Sequence, residues 1–126
     1  MKQALLVIDI QEALRLSQDE SVNETIALIN DVISTYPTDH VYYIRHLEIG
    51  SEFDPNEPTS QFHHQLNLVN HQVITKYHHS AFYETSLHEI LQHHNITTSI
   101  PLIFAGIKLN IVWMQPLKRV IFSDTT

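Results

Sequence analysis

Cysteine is absent from the 126 residues. That excludes disulfides, thiolate metal sites and thiol chemistry within this chain. Basic residues are scarce: Lys and Arg total 7 against 14 Asp and Glu, for a formal net charge of −7. An acidic chain without a basic cluster does not attract phosphate backbones, so no nucleic-acid partner is expected. No apolar run approaches the roughly 18 residues of a membrane span, so no membrane partner is expected either. The stretch from Ala4 to Ile8 is broken by Asp9 and is too short for a signal-peptide core of about 7–15 residues, which points to a cytoplasmic protein. Glycine occurs only twice, at Gly50 and Gly106, and a solitary glycine is not a phosphate-cradling loop.

Apolar residues make up 43% and charged residues 17%, a globular composition. The length suits one domain over 1–126, able to bury about two-thirds of its unfolded surface. Ala4–Ile8 is continuously apolar, as expected of a strand covered on both faces. Val22, Ile26, Ile29 and Ile33 form one helical stripe. Two capping-box patterns, beginning at Ser17 and Ser21, leave its start open by a turn, and Pro37 marks its end. Val41–Ile44 and Gln72–Thr75 predict the second and third strands. Residues 47–62 between them, with Gly50, Pro55 and Pro58, read as a long loop, either a substrate lid or plain surface. Its Glu52, Asp54 and Glu57 would repel an acidic substrate. Phe82, Leu87, Ile90 and Leu91 predict a second helix fraying near Asn95. Pro101–Ala105 predicts a fourth strand, and Arg119–Phe122 is a candidate fifth.

This alternation predicts an α/β fold, a three-layer, mostly parallel Rossmann-like sheet with helices on both faces. Ligands in such folds bind beyond the carboxyl ends of the strands. Asp9, His46, Lys76 and Gly106 each close a proposed strand and therefore share that edge.

Three blocks resemble the isochorismatase-like cysteine hydrolases, the group that includes nicotinamidases. Leu6-Val7-Ile8-Asp9-Ile10-Gln11 resembles the first-strand motif. Lys76-Tyr77-His78-His79-Ser80-Ala81-Phe82, with Thr85 and Leu87, resembles the lysine motif and is the most specific. Ile103-Phe104-Ala105-Gly106-Ile107-Lys108 resembles the strand and glycine turn before the nucleophile. The resemblance implies hydrolysis of amide C–N or vinyl-ether bonds in small molecules. An aspartate takes the proton of a cysteine thiol, a lysine stabilises the charge, and the thiolate attacks. Carried over, the aspartate is Asp9 and the lysine is Lys76; Gln11, His46, Phe82 and Gly106 are candidate substrate-binding positions.

The nucleophile position, six residues after Gly106, is Val112, which has neither a lone pair nor an acidic proton. Pro116 follows four residues later; in a helix interior proline costs about 3 kcal/mol, so the nucleophile's helix is expected to be short, displaced or absent. The family's chains are longer, so the C-terminal part reads as shortened and the sequence after about 110 as atypical. An inactive hydrolase, a non-catalytic small-molecule-binding or interaction protein, and a truncated product without a selected function all remain open. The resemblance also implies a homo-oligomer.

Ten histidines include the adjacent pairs His63-His64, His78-His79 and His93-His94. Neighbouring side chains on a regular helix or strand point apart and chelate poorly. Some family members hold a divalent metal through an Asp-x-His pair after the second strand, where this chain has Ile44-Arg45-His46. No metal and no other cofactor is therefore expected.

Overall fold

Continuous apolar runs become the centre of a sheet whose two faces are both covered. The computed structural model describes residues 2–18, 20–78, 80–105 and 108–111, with 102–105 and 108–111 described through their backbone. Among these residues five strands, β1 (Gln3–Ile8), β2 (Val41–His46), β3 (Val73–Lys76), β4 (Thr98–Ala105) and β5 (Lys108–Ile111), lie in the order β3-β2-β1-β4-β5. β1 pairs in parallel with β2 and β4, and β2 in parallel with β3. The expected α/β class with a mostly parallel sheet is thus the observed one.

Among the described residues two helices flank the sheet, α1 (Val22–Ser34) and α2 (Leu87–His93). Strand alternation divides the core between them. Leu5 and Val7 of β1 pack with Tyr43 of β2 and with Val22, Ile26, Ile29 and Ile33 of α1. Ala4, Leu6 and Ile8 turn the other way, onto Tyr42, Ile44, Ile74, Phe82 and the α2 residues Leu87 and Leu91. All five apolar residues from Ala4 to Ile8 are buried, which is why the run is continuous. α1 begins directly after Ser21, so the second of the two capping-box patterns marks its start.

Three elements depart from the sequence reading. Phe82 precedes α2 instead of beginning it, because hydroxyl groups capture the backbone there. Ser80 Oγ accepts the Phe82 N–H (3.2 Å), and the Thr85 hydroxyl donates to the Ala81 carbonyl (2.6 Å) while accepting the Leu87 N–H (3.3 Å). β4 starts three residues earlier than expected, at Thr98, alongside Gln3. Finally, Lys108–Ile111, for which the sequence reading named no element, forms β5, antiparallel to β4; the helix expected to be short, displaced or absent at Val112 lies outside the described residues. The candidate strand Arg119–Phe122 lies outside the described residues.

The connection from β2 to β3 contains only a 3-10 turn, Pro58–Ser60, and is held by hydrogen bonds. The Tyr43 hydroxyl donates to the Asn67 carbonyl (2.5 Å) and accepts the Val69 N–H (3.1 Å). Gly50 supplies a turn at φ +82°, a backbone conformation that side chains disfavour, and its N–H donates to Asp54 Oδ2 (2.9 Å). Among the described residues no helix is long and apolar enough to cross a membrane.

Candidate functional site

The order of the strands brings the carboxyl ends of β1, β2 and β3 side by side. His46 is in register with Lys76, and Ile8 with Ile44. Asp9 follows β1 directly, and its N–H donates to the Ile44 carbonyl (3.0 Å). Its backbone is left-handed, with φ +61°, a region that aspartate tolerates better than most residues. Extended alternation past Ile8 would turn Asp9 to the α1 side with Val7. The left-handed residue ends that alternation, and Asp9 Oδ2 lies 3.2 Å from Lys76 Nζ.

Lys76 shares a strand face with Ile74 and is only 2% exposed, whereas the Asp9 carboxylate is 33% exposed. A buried ammonium is costly unless a carboxylate and hydrogen bonds hold it. The pair therefore presents a partly open carboxylate anchored from below by a buried cation. Such a carboxylate can accept a proton or bind a polar ligand.

The other candidates are placed differently. Gln11 is fully buried, and its amide is committed to backbone: Nε2 donates to the carbonyls of His46 (2.9 Å) and Ser60 (2.7 Å), and Oε1 accepts the His46 N–H (2.9 Å). It ties the end of β2 and the 47–62 loop to the turn after β1, a positioning task that leaves it no donor to offer a substrate. Phe82 is 2% exposed within the α2-side core, so burial there, not an open pocket, accounts for it. His46 stands edge-on to Phe53 at 5.2 Å, with Nε2 3.5 Å from Glu48 Oε1. Its buried Nδ1 has no hydrogen-bond partner among the described residues. Gly106 and Val112 lie outside the described residues.

A second cluster was not foreseen. Glu12 opens a 3-10 turn, Glu12–Ser17, and reaches the 63–66 turn. Its Oε1 accepts the backbone N–H (2.5 Å) and Nδ1 (2.9 Å) of His64, and Oε2 accepts from Arg15 (3.0 Å). Burial raises the Glu12 pKa, but the bonds from His64 and Arg15 outweigh it and hold the carboxyl at about 2. His63 is buried, and desolvation lowers its pKa. The His63 and His64 rings stack at 4.6 Å. The rule that adjacent histidines diverge holds on regular helices and strands; these two stand in a turn. Among the described residues, Glu12, His63 and His64 are the group able to converge on a metal ion, with ligand atoms within 4.8 Å of one another. A cavity of about 620 Å³ opens beside this cluster, lined by Glu12, Arg15, Glu20, His63, His64 and Gln65 among others, and not over the Asp9–Lys76 pair.

Comparison with known proteins agrees with this architecture. The chain superimposes on N-carbamoylsarcosine amidase from Thermoplasma acidophilum with a TM-score of 0.71 at 23% identity, over 81% of this chain and 67% of that one. It superimposes on an isochorismatase from Pseudomonas putida with a TM-score of 0.62 at 33% identity, over 82% and 57% of the two chains. For a protein described as a hydrolase of the isochorismatase family from Chromobacterium violaceum the TM-score is 0.66 at 23% identity, over 79% and 55%. The aligned part thus spans between 55% and 67% of these relatives' lengths. No curated protein matches the chain. The family model described as the isochorismatase domain matches residues 3–121, nearly the whole chain, and the chain therefore belongs to the isochorismatase family, as a member without a cysteine.

Proposed function

We propose that this protein is an isochorismatase-family hydrolase fold that has lost cysteine-hydrolase activity and keeps the Asp9–Lys76 pair as the polar floor of a small-molecule site. The observation that carries this reading is the pair itself in a chain without cysteine. The family chemistry needs a thiolate to attack an amide or vinyl-ether substrate, and the aspartate's task is to take the thiol proton. Val112 stands at that position in the sequence; hydrocarbon offers neither lone pair nor proton, and positioning cannot supply them. What Asp9 and Lys76 still offer is a carboxylate acceptor beside an ammonium donor, a combination suited to the amide or carboxyl group of a small ligand. The protein would act as a non-catalytic binder, in the cytoplasm and as a homo-oligomer.

The test is hydrolysis of nicotinamide-like and isochorismate-like substrates by the wild type and by Val112→Cys, beside thermal shifts with small aromatic amides. The wild type should show no turnover. A ligand at a hundredfold excess over its dissociation constant should stabilise it by about 2.7 kcal/mol, and Asp9→Asn should abolish that shift. Wild-type turnover that disappears in Asp9→Ala would refute the loss of activity and make water or another group the nucleophile. Absence of any ligand-induced shift would refute the binding role.

A further inference from the structure

We infer that Glu12, His63 and His64 form a binding site for a divalent transition-metal cation of the zinc class, separate from the Asp9–Lys76 pair. Two imidazoles and one carboxylate are a donor set that suits Zn²⁺, with a fourth position left to water or a small ligand. The position differs from the Asp-x-His slot after β2, since the ligands come from the turn after β1 and the 63–66 turn.

The geometry is close to what such an ion needs. Tetrahedral zinc ligands at 2.0–2.1 Å from the metal stand about 3.3–3.4 Å apart. Glu12 Oε1 and His64 Nδ1 are 2.9 Å apart, joined by a proton, and a cation replacing that proton would separate them only slightly. The third ligand atom is within 4.8 Å, so the His63 ring has to close by up to about 1.5 Å. The cost is small. His63 Nδ1 accepts only a 3.2 Å bond from the Gln65 N–H. Metal at Nδ1 displaces that bond directly, and metal at Nε2 moves the ring proton to Nδ1 and loses it as well; either way one weak bond is exchanged for coordination. His64 is 65% exposed and free to adjust.

The surroundings weigh on both sides. Arg15 donates to Glu12 Oε2 and opposes a cation. It is 67% exposed and can swing into water, and its carboxylate oxygen is not the one facing His64. Glu20 lines the same cavity, and the chain's net charge of −7 favours cations. His63 is a buried polar side chain on the wall of an open cavity, which gives the fourth coordination position room for water.

The experiment is calorimetric titration of the metal-stripped full chain with ZnCl₂, with Co²⁺ absorption as a second readout. One ion per chain is expected, with Co²⁺ bands in the visible characteristic of low coordination number. His64→Ala and Glu12→Gln should weaken binding at least tenfold and abolish those bands. His93→Ala and His78→Ala, on exposed histidines, should leave both readings unchanged. Should His63→Ala fail to fold, the His64 variant still decides, because that side chain lies at the surface. Binding that survives His64→Ala undiminished, falls equally in His93→Ala, or follows no single-site stoichiometry would overturn the assignment and leave adventitious surface histidines.

Discussion

The Asp9–Lys76 pair predicts a strongly non-additive double-mutant cycle. Lys76 is 2% exposed with its Nζ 3.2 Å from Asp9 Oδ2. Asp9→Asn removes the carboxylate and leaves the ammonium in the core. Breaking a buried pair from one side costs about 3–5 kcal/mol; Asp9 is one-third exposed, and the screening that exposure allows brings the expectation to about 2–3 kcal/mol. Lys76→Met is milder, about 1–2 kcal/mol, because water solvates the exposed part of the remaining carboxylate while methionine fills the space of the lysine stem. The double variant should resemble Lys76→Met alone, giving a coupling energy of about 2–3 kcal/mol, well above the roughly 0.5 kcal/mol expected of independent sites. Urea unfolding at pH 7 measures all four proteins, and Asp9→Asn should move the midpoint down by about 0.7–3 M for a slope of about 1–3 kcal/mol/M. Additive singles would show that the two charges do not share a site, and the proposed polar floor would go with them.

Gln11→Leu should cost about 2–4 kcal/mol, because it leaves the His46 N–H and the His46 and Ser60 carbonyls without the bonds they now make; a loss below 1 kcal/mol in chemical denaturation would argue against its tying role. Truncating Ile26, fully buried on the core-facing side of α1, to alanine should cost about 3 kcal/mol, against less than about 0.5 kcal/mol for Leu28→Ala, which is 56% exposed. Glu12 and His63 make stability fall with acid. His63 has a lowered pKa in the fold, so the unfolded chain binds protons more readily, and stability drops below about pH 6.5. Glu12, held at about 2 against an ordinary 4.5, contributes in full above pH 4.5 and loses that contribution as the pH falls towards 2. Because His64 and Arg15 are largely exposed, its share is about 1 kcal/mol. Between pH 7 and pH 3 the wild type should lose more stability than Glu12→Gln, by up to about 1 kcal/mol, while the fall due to His63 remains in both.

The parts of the fold legible in the sequence are those whose periodicity comes from burial. Ala4–Ile8 is apolar at every position because each residue faces one of two cores, and the stripe Val22, Ile26, Ile29, Ile33 is buried throughout. What stayed hidden depends on competition between local and distant bonds. The serine and threonine hydroxyls at 80 and 85 take backbone groups that a helix would use, so an apolar pattern reaching back to Phe82 overstates α2. β5 exists through its antiparallel ladder with β4, and no local pattern announces a partner.

The candidate site divides along the same line. Asp9 and Lys76 could be named from motifs, and the strand order explains how residues so far apart in sequence meet. Their contact still depends on one left-handed residue, which hydrophobic patterning does not encode. Gln11 belongs to the same motif as Asp9, yet its amide is consumed in joining three segments. A motif preserves residues that build a site as well as residues that touch a ligand, and only the hydrogen-bond partners separate them. Glu12 and His64 are 52 residues apart and carry no spacing signal. The stacking of His63 on His64 came from a turn, where the alternation that would part neighbouring side chains does not operate. A position that matches a family motif can therefore be purely supportive, while a cluster with metal-binding geometry can arise outside every motif, and in this chain the divergence begins within three residues of Asp9.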